Sequence, residues 1–119
     1  MFFDRRRKYN GDVAALLPAF GISMDEAGVF KLLNVLDMAW AQNFSKYEAA
    51  LLVAYSFAGG LYQGGQLLRA DQLVEQRIVP IQKDWIGKGI VRADLVKPWP
   101  DALGKRATAA RASRASAQQ

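Results

Sequence analysis

The longest charge-free stretch of the chain constrains its fold more than any other feature. Between Glu48 and Arg69 lie twenty residues without a formal charge, AALLVAYSFAGGLYQGGQLL. A helix of roughly 20 residues spans a bilayer, but glycines interrupt this stretch, and the Gly64-Gly65 pair predicts that the helix stops there. The remaining apolar run, 49–62, is shorter than a membrane span and predicts a helix buried in a protein core.

This buried helix has no polar face, so it needs cover on all sides. Small residues at helical spacing allow another backbone to approach closely, and Gly60 and Gly64 form a GxxxG pair. Since a small chain supplies few other helices, we expect a second copy to complete the cover and form a dimer. Trp99, between two prolines of an extended exit from the bundle, is expected to dock on the body or on a partner. The predicted interaction face is Ala50, Ala54, Ala58, Gly60, Gly64 and Trp99.

Local signals predict two helices before the charge-free one. Asp12 follows a turn-like Asn-Gly pair and is the predicted N-cap of a first helix that ends near Phe20. Ser23 and Glu26 form a capping box, and an apolar stripe then predicts a second helix that ends near Asn43.

The second half of the sequence carries similar signals. Ser45 and Glu48 form another capping box, which opens the charge-free helix. Apolar periodicity predicts a fourth helix over 70–86, and Pro80 predicts a kink or break near Val79. The sequence therefore predicts an all-α fold, a compact bundle of about four helices with a central apolar helix and disordered basic tails.

Positive charge is concentrated at the two ends of the sequence. Residues 1–8 carry a net charge of +3 and residues 104–119 carry +4, whereas residues 9–103 carry −2. We therefore predict a basic arm, a helical domain and a basic Ala/Arg/Ser-rich tail with these bounds. The tail offers little apolar surface to bury, so we expect it to be disordered unless something anchors it as a helix. No secretory signal is apparent near the start, which favours a cytoplasmic protein.

The absence of histidine and cysteine removes most common catalytic chemistry. A chain without them cannot form an imidazole general base, a thiolate nucleophile or a typical zinc site. The acidic residues are scattered along the sequence rather than clustered as a calcium or magnesium site requires. We therefore predict a non-enzymatic protein with no cofactor and no metal site.

Three functions remain open from the sequence. The preferred one is an interaction or adaptor protein that self-associates through the small-residue helix and also binds an unidentified protein partner. The main alternative is a nucleic-acid-associated accessory protein that binds phosphates through its basic ends. Membrane association is a third and less favoured alternative. The predicted anion-binding residues are Arg5, Arg6, Arg7, Lys8, Lys105, Arg106, Arg111 and Arg114.

Overall fold

The computed structural model describes residues 2–23 and 32–117, and all regular structure within them is helical. This confirms the all-α class predicted from the sequence. Glu26, from the capping box predicted for the second helix, lies outside the described residues. The helices are α1 (Phe2–Leu16, followed by a 3-10 turn at Leu17–Phe20), α2 (Leu32–Ala41), α3 (Lys46–Gln63), α4 (Leu67–Leu73), a π turn (Val74–Ile78), α5 (Val79–Gly87), α6 (Ala93–Val96) and α7 (Pro98–Ala117).

Helix α3 is the predicted charge-free helix, and its ends agree with the sequence signals. The Ser45 hydroxyl accepts a hydrogen bond from the Glu48 N–H, and the Glu48 carboxylate accepts one from the Ser45 N–H, which confirms the capping box. After Gln63 the chain turns at Gly65, which has a φ of 82°. The N–H of Gln66 returns to the Leu61 carbonyl at 2.9 Å, the bond that defines a Schellman C-cap.

Helix α3 is covered by other helices of the same chain. Helices α1, α2, α4 and α7 all pack against it. Ala50, Ala54 and Ala58 are 0% exposed, so the small-residue face is buried inside the molecule. The sequence argument that α3 needs cover on all sides is therefore answered within one chain. The largest fully buried side chains around it are Phe20, Phe57, Ile22, Leu51, Leu61 and Ile78.

Helix α1 begins earlier than the sequence predicts. It is already helical at Phe2 and continues through Gly11, so the turn expected before Asp12 is wrong. Glycine costs about 1 kcal/mol in a helix interior, but Val13 and Leu17 recur at a spacing of four and are both buried in the core. Tertiary packing therefore outweighs the local turn signal, and the predicted N-terminal arm is part of a helix.

The predicted break near Val79 takes the form of a π turn. Proline cannot donate a backbone hydrogen bond, and its ring collides with the carbonyl four residues earlier in an α-helix. Just before Pro80, the N–H of Val79 donates to the carbonyl of Val74, five residues back. The wider turn shifts the carbonyls away from the proline ring, so the chain passes from α4 into α5 without leaving the helical conformation.

One helix, α7, covers Pro98–Ala117, where the sequence predicts an extended exit and a tail that is disordered unless something anchors it as a helix. Pro98 and Pro100 lie in its first turn, where backbone N–H groups have no partner within the helix, so both prolines are tolerated. Trp99 packs against Phe44 and Tyr55, with ring centroids 5.9 and 6.3 Å away. The helix continues to Ala117, and the predicted disorder of the tail is not confirmed.

Candidate functional site

Helix α7 lies beside α3 and runs in the same direction. At its start Trp99 packs on Tyr55, further along Arg106 lies on Gly59, and near its end Arg114 reaches Gly65. Leu103 and Ala107, each 5% exposed, form the buried seam of this helix. This seam anchors the helix and turns several arginines of the basic C-terminal segment toward the end of α3.

A groove of about 620 Å³ lies between the last turns of α3 and the second half of α7. Glycine, alanine and serine make up most of both walls, and this leaves open space between the two helices. We call it the α3–α7 groove. Its lining residues are Gly59, Tyr62, Gln63, Gly64, Gly65, Arg106, Ala109, Ala110, Ser113 and Arg114.

Arg106 lies on one side of this groove. Its guanidinium packs directly on Gly59, where a Cβ atom would collide with it. One Nη group donates a long hydrogen bond, 3.4 Å, to the side-chain oxygen of Gln63. A guanidinium has five N–H donors, so Arg106 keeps most of its hydrogen-bonding capacity for another acceptor.

Arg114 borders the same groove further along α7. Its Nη1 donates to the carbonyl of Gly65 at 3.1 Å, so the exposed cation caps the end of the α3 turn. A cation close to free carbonyls at a helix C-terminus is electrostatically favourable. Among the described residues, neither Arg114 nor Arg106 forms an ion pair with a carboxylate.

Arg111 lies between these two arginines in the sequence but has a different role. It forms an ion pair with Asp71 of α4, and its guanidinium lies 5.6 Å from the ring of Tyr62. The Tyr62 hydroxyl donates to the same carboxylate at 2.5 Å. The hydrogen bonds from Tyr62 and Arg111 lower the pKa of Asp71, while burial together with the bond to Asp71 raises the pKa of Tyr62 to about 12. This cluster neutralises Arg111 and attaches α7 to the rest of the fold.

The N-terminal cations also include one arginine that is paired with a carboxylate and others that are exposed. Arg6 forms an ion pair with Asp37 and lies 5.5 Å from the ring of Trp40. The other basic side chains of this segment, Arg5, Arg7 and Lys8, are exposed. Tyr9 places them near the start of α3, because its hydroxyl donates to the carbonyl of Phe44 at 3.0 Å. Arg114 lies at the other end of α3, whose 18 residues span about 27 Å.

The most buried charged group of the described chain, Glu48, belongs to the scaffold. Its carboxylate is 2% exposed and accepts hydrogen bonds from the Nε, Nη2 and backbone N–H of Arg92, at 2.8 to 2.9 Å. Burial raises the pKa of Glu48, but the bonds from Arg92 and Ser45 outweigh it and lower the pKa to about 2. The pair ties the start of α3 to α6. Sequence reasoning identified Glu48 as a cap but missed its ion pair with Arg92, which lies 44 residues away.

The other strongly perturbed side chains of the described residues also belong to the scaffold. No group of three or more acidic side chains among them could hold a metal ion. The hydroxyl of Tyr55, buried in the core, donates to the side chain of Gln82, and burial raises the pKa of this tyrosine. The perturbed groups thus take part in contacts that join helices.

The residues of the predicted interaction face do not form one surface in the structure. Ala50, Ala54 and Ala58 are in the core, Gly60 is half-buried, and Gly64 is exposed at the end of α3. The half-buried Trp99 packs on aromatic side chains of its own chain. Of the predicted anion-binding residues, the structure brings Arg106 and Arg114 together at one groove. It places Lys105 elsewhere on α7, beside Asp101 and Thr108.

The chain matches no protein-family model, no curated protein and no solved structure. Among the described residues, no helix is both long enough and apolar enough to cross a bilayer. Any functional assignment therefore depends on the geometry of this molecule.

Proposed function

We propose that this protein is a non-enzymatic, cytoplasmic accessory protein that binds nucleic-acid phosphates through the exposed cations of α1 and α7. One observation carries the proposal. Arg106 and Arg114 border an open groove without a carboxylate partner among the described residues, whereas Arg111 between them is neutralised by Asp71. No acidic residue follows Asp101, so the exposed surface of α7 beyond it is cationic.

Two of the eight cations predicted from the sequence to bind phosphates are left out of this proposal. Arg6 and Arg111 are each paired with a carboxylate of the fold. The remaining six are Arg5, Arg7, Lys8, Lys105, Arg106 and Arg114, all exposed. Lys8 also contacts Asp12 at 3.6 Å, but this pair is open to solvent and contributes little.

A salt titration tests the proposal. We expect a labelled single strand of about 20 nucleotides to bind at low salt, with an affinity that falls steeply as salt is raised. The double variant R106Q/R114Q removes two phosphate contacts, so the log–log slope should become shallower by about 1.4. Fluorescence anisotropy at several salt concentrations measures both quantities.

A matched control separates local contacts from total charge. The variant R77Q/K83Q also removes two exposed cations, but from α5 and the preceding π turn and not from the α3–α7 groove. Under the proposal, this control retains the wild-type slope. Equal losses in both double variants would show that only net charge matters, and no binding by the wild type would exclude the function.

Self-association as an adaptor is a second proposal, now with a different surface. Leu68, at the start of α4, is 71% exposed, and Met38, Val79 and Ile90 are each more than a third exposed. An interface would use such side chains, because Ala50, Ala54 and Ala58 of the predicted face are buried inside the molecule. Light scattering at tens of micromolar tests this idea, and a monomer mass for the wild type would exclude it. If the wild type is a dimer, the variant L68S should shift the mass toward the monomer.

A further inference from the structure

We propose that the α3–α7 groove is a binding site for a chain of phosphates that lies inside it, between Arg106 and Arg114. The proposal rests on the proposed function, because it uses the same two arginines, but it adds a defined location and a ligand class. The ligand is a single phosphate chain, which a nucleic-acid strand or an inorganic polyphosphate can supply.

The volume and the lining residues of the groove are suited to a phosphate chain. Its volume of about 620 Å³ falls within the range of roughly 300 to 1,000 Å³ typical of ligand pockets. Glycine and alanine form much of its surface, so a ligand can approach the backbone of both helices closely. The Ser113 hydroxyl and the Gln63 amide also line the groove and add neutral donors for phosphate oxygens.

The spacing of the two cations favours an extended anion over a single small one. Arg106 packs on Gly59 and Arg114 binds the carbonyl of Gly65, so their guanidinium groups lie near positions six residues apart. On α7 the two arginines are eight residues apart, which corresponds to about 12 Å along the helix axis. A single phosphate group is too small to meet both guanidinium groups where they stand, whereas a chain that carries several phosphates reaches both.

The same dimensions disfavour a duplex inside the groove. The major groove of B-DNA alone is about 12 Å wide and about 8.5 Å deep. A whole double helix is therefore too bulky for a groove of about 620 Å³ and can only lie over it. The described lining contains no exposed aromatic ring on which a base could stack, since Tyr62 is 5% exposed. We therefore expect binding to depend on the phosphate chain and to be indifferent to base sequence.

The experiment fills the groove without changing its charge. Ser113 lines the groove, and the variant S113L places a bulky side chain in it. The variant A112L introduces the same side chain at the neighbouring exposed position, which does not line the groove. Binding of an oligothymidine of about eight nucleotides and of inorganic tripolyphosphate is measured for both, with circular dichroism to confirm equal helix content.

We expect S113L to weaken at least one of the two probes by about tenfold or more, comparable to the loss of a charge-assisted hydrogen bond. A112L should bind as the wild type does. The probe that binds more tightly identifies the source of the phosphate chain. A duplex of the same length should bind more weakly than the single strand and be insensitive to S113L.

Two results would contradict the proposal in distinguishable ways. If R106Q/R114Q weakens nucleic-acid binding but S113L does not, phosphates bind to the outer surface of α7, and the groove site is wrong while the proposed function stands. If neither probe binds the wild-type protein at low salt, both proposals are wrong.

Discussion

At the residue scale, the pair formed by Glu48 and Arg92 holds two distant parts of the chain together. The carboxylate is 2% exposed, whereas the Arg92 side chain is 59% exposed. The guanidinium therefore keeps much of its hydration, and only one of the two charges is fully desolvated. This asymmetry reduces the desolvation penalty that often cancels the gain from a buried ion pair.

The lowered pKa of Glu48 makes stability depend on pH. The pKa falls from 4.5 in the unfolded chain to about 2 in the fold, which corresponds to about 3 kcal/mol. Because the folded pKa is the lower one, this stabilisation is complete above about pH 5 and disappears as the pH falls toward 2. We expect the variant E48Q to lose about 3 kcal/mol at pH 7, measured by urea unfolding.

The control for this prediction is the variant E75Q, which neutralises an exposed carboxylate of the π turn. E75Q should unfold within about 0.5 kcal/mol of the wild type at pH 7. The difference between E48Q and the wild type should shrink as the pH is lowered to 3. A difference that stays constant between pH 7 and 3 would show that Glu48 acts through packing and not through its charge.

At the element scale, a helix boundary is predicted correctly when the residues that determine it are close together in the sequence. The capping box at Ser45 involves residues three positions apart, so the sequence predicts it correctly. The break before Pro80 is equally local, although its form as a π turn depends on the continuing apolar face. By contrast, α1 passes through Gly11 because of its buried partners, which no local pattern reveals.

Helix α7 is the clearest example of an element that depends on contacts with distant parts of the sequence. Its sequence after Leu103 contains mainly alanine, arginine and serine, which is typical of a disordered tail. In the fold, Ala107 packs on the core and Arg111 meets Asp71, 40 residues away. These contacts supply the anchor that the composition alone lacks, so a segment of good helix formers becomes ordered.

The structure therefore predicts a different truncation result from the one the sequence favours. The sequence alone suggests that removing residues 104–119 has almost no effect on stability. Since this segment covers Tyr62 and Gly59 on α3, we expect its removal to destabilise the protein by roughly 2 kcal/mol or more. For a domain of this size, that loss lowers the melting temperature by about 8 °C or more.

Thermal unfolding of residues 1–103 beside the full chain measures this effect. The variant R111Q isolates the share that the ion pair with Asp71 contributes, expected to be the smaller part of the loss because both side chains are partly exposed. An unchanged melting temperature after truncation would show that residues 104–119 do not stabilise the rest of the fold.

At the scale of the whole molecule, the candidate site is assembled from segments that the sequence keeps far apart. Glycines at 59–65 form one wall of the α3–α7 groove and residues 106–114 form the other. The sequence identified both the glycine-rich stretch and the basic tail. It assigned the glycines to a dimer face and the arginines to a disordered arm, because their proximity depends on the parallel packing of α7 on α3.

The fold also separates the available cations into two groups. Arg5, Arg7 and Lys8 lie near the start of α3, and the second group, on α7, contains Lys105, Arg106 and Arg114. The two arginines of this second group contact the end of α3. The 18 residues of α3 separate these groups by about 27 Å. At 3.4 Å per nucleotide, a strand needs about eight nucleotides to bridge them.

The proposed function therefore predicts that the salt dependence changes with strand length. A strand of about four nucleotides reaches only one group, and three contacts give a log–log slope near −2. A strand of about 20 nucleotides reaches all six cations and should give a slope near −4. Fluorescence anisotropy of labelled oligothymidines of increasing length, each titrated with salt, should show the steeper slope only beyond about eight nucleotides.

The variant R5Q/R7Q/K8Q serves as the control for this length dependence. It removes the group near the start of α3, so long and short strands should then give the same slope, near −2. A slope that rises smoothly from the shortest strands would indicate one continuous basic surface. In that case the two groups lie closer together in the bound protein than the length of α3 allows.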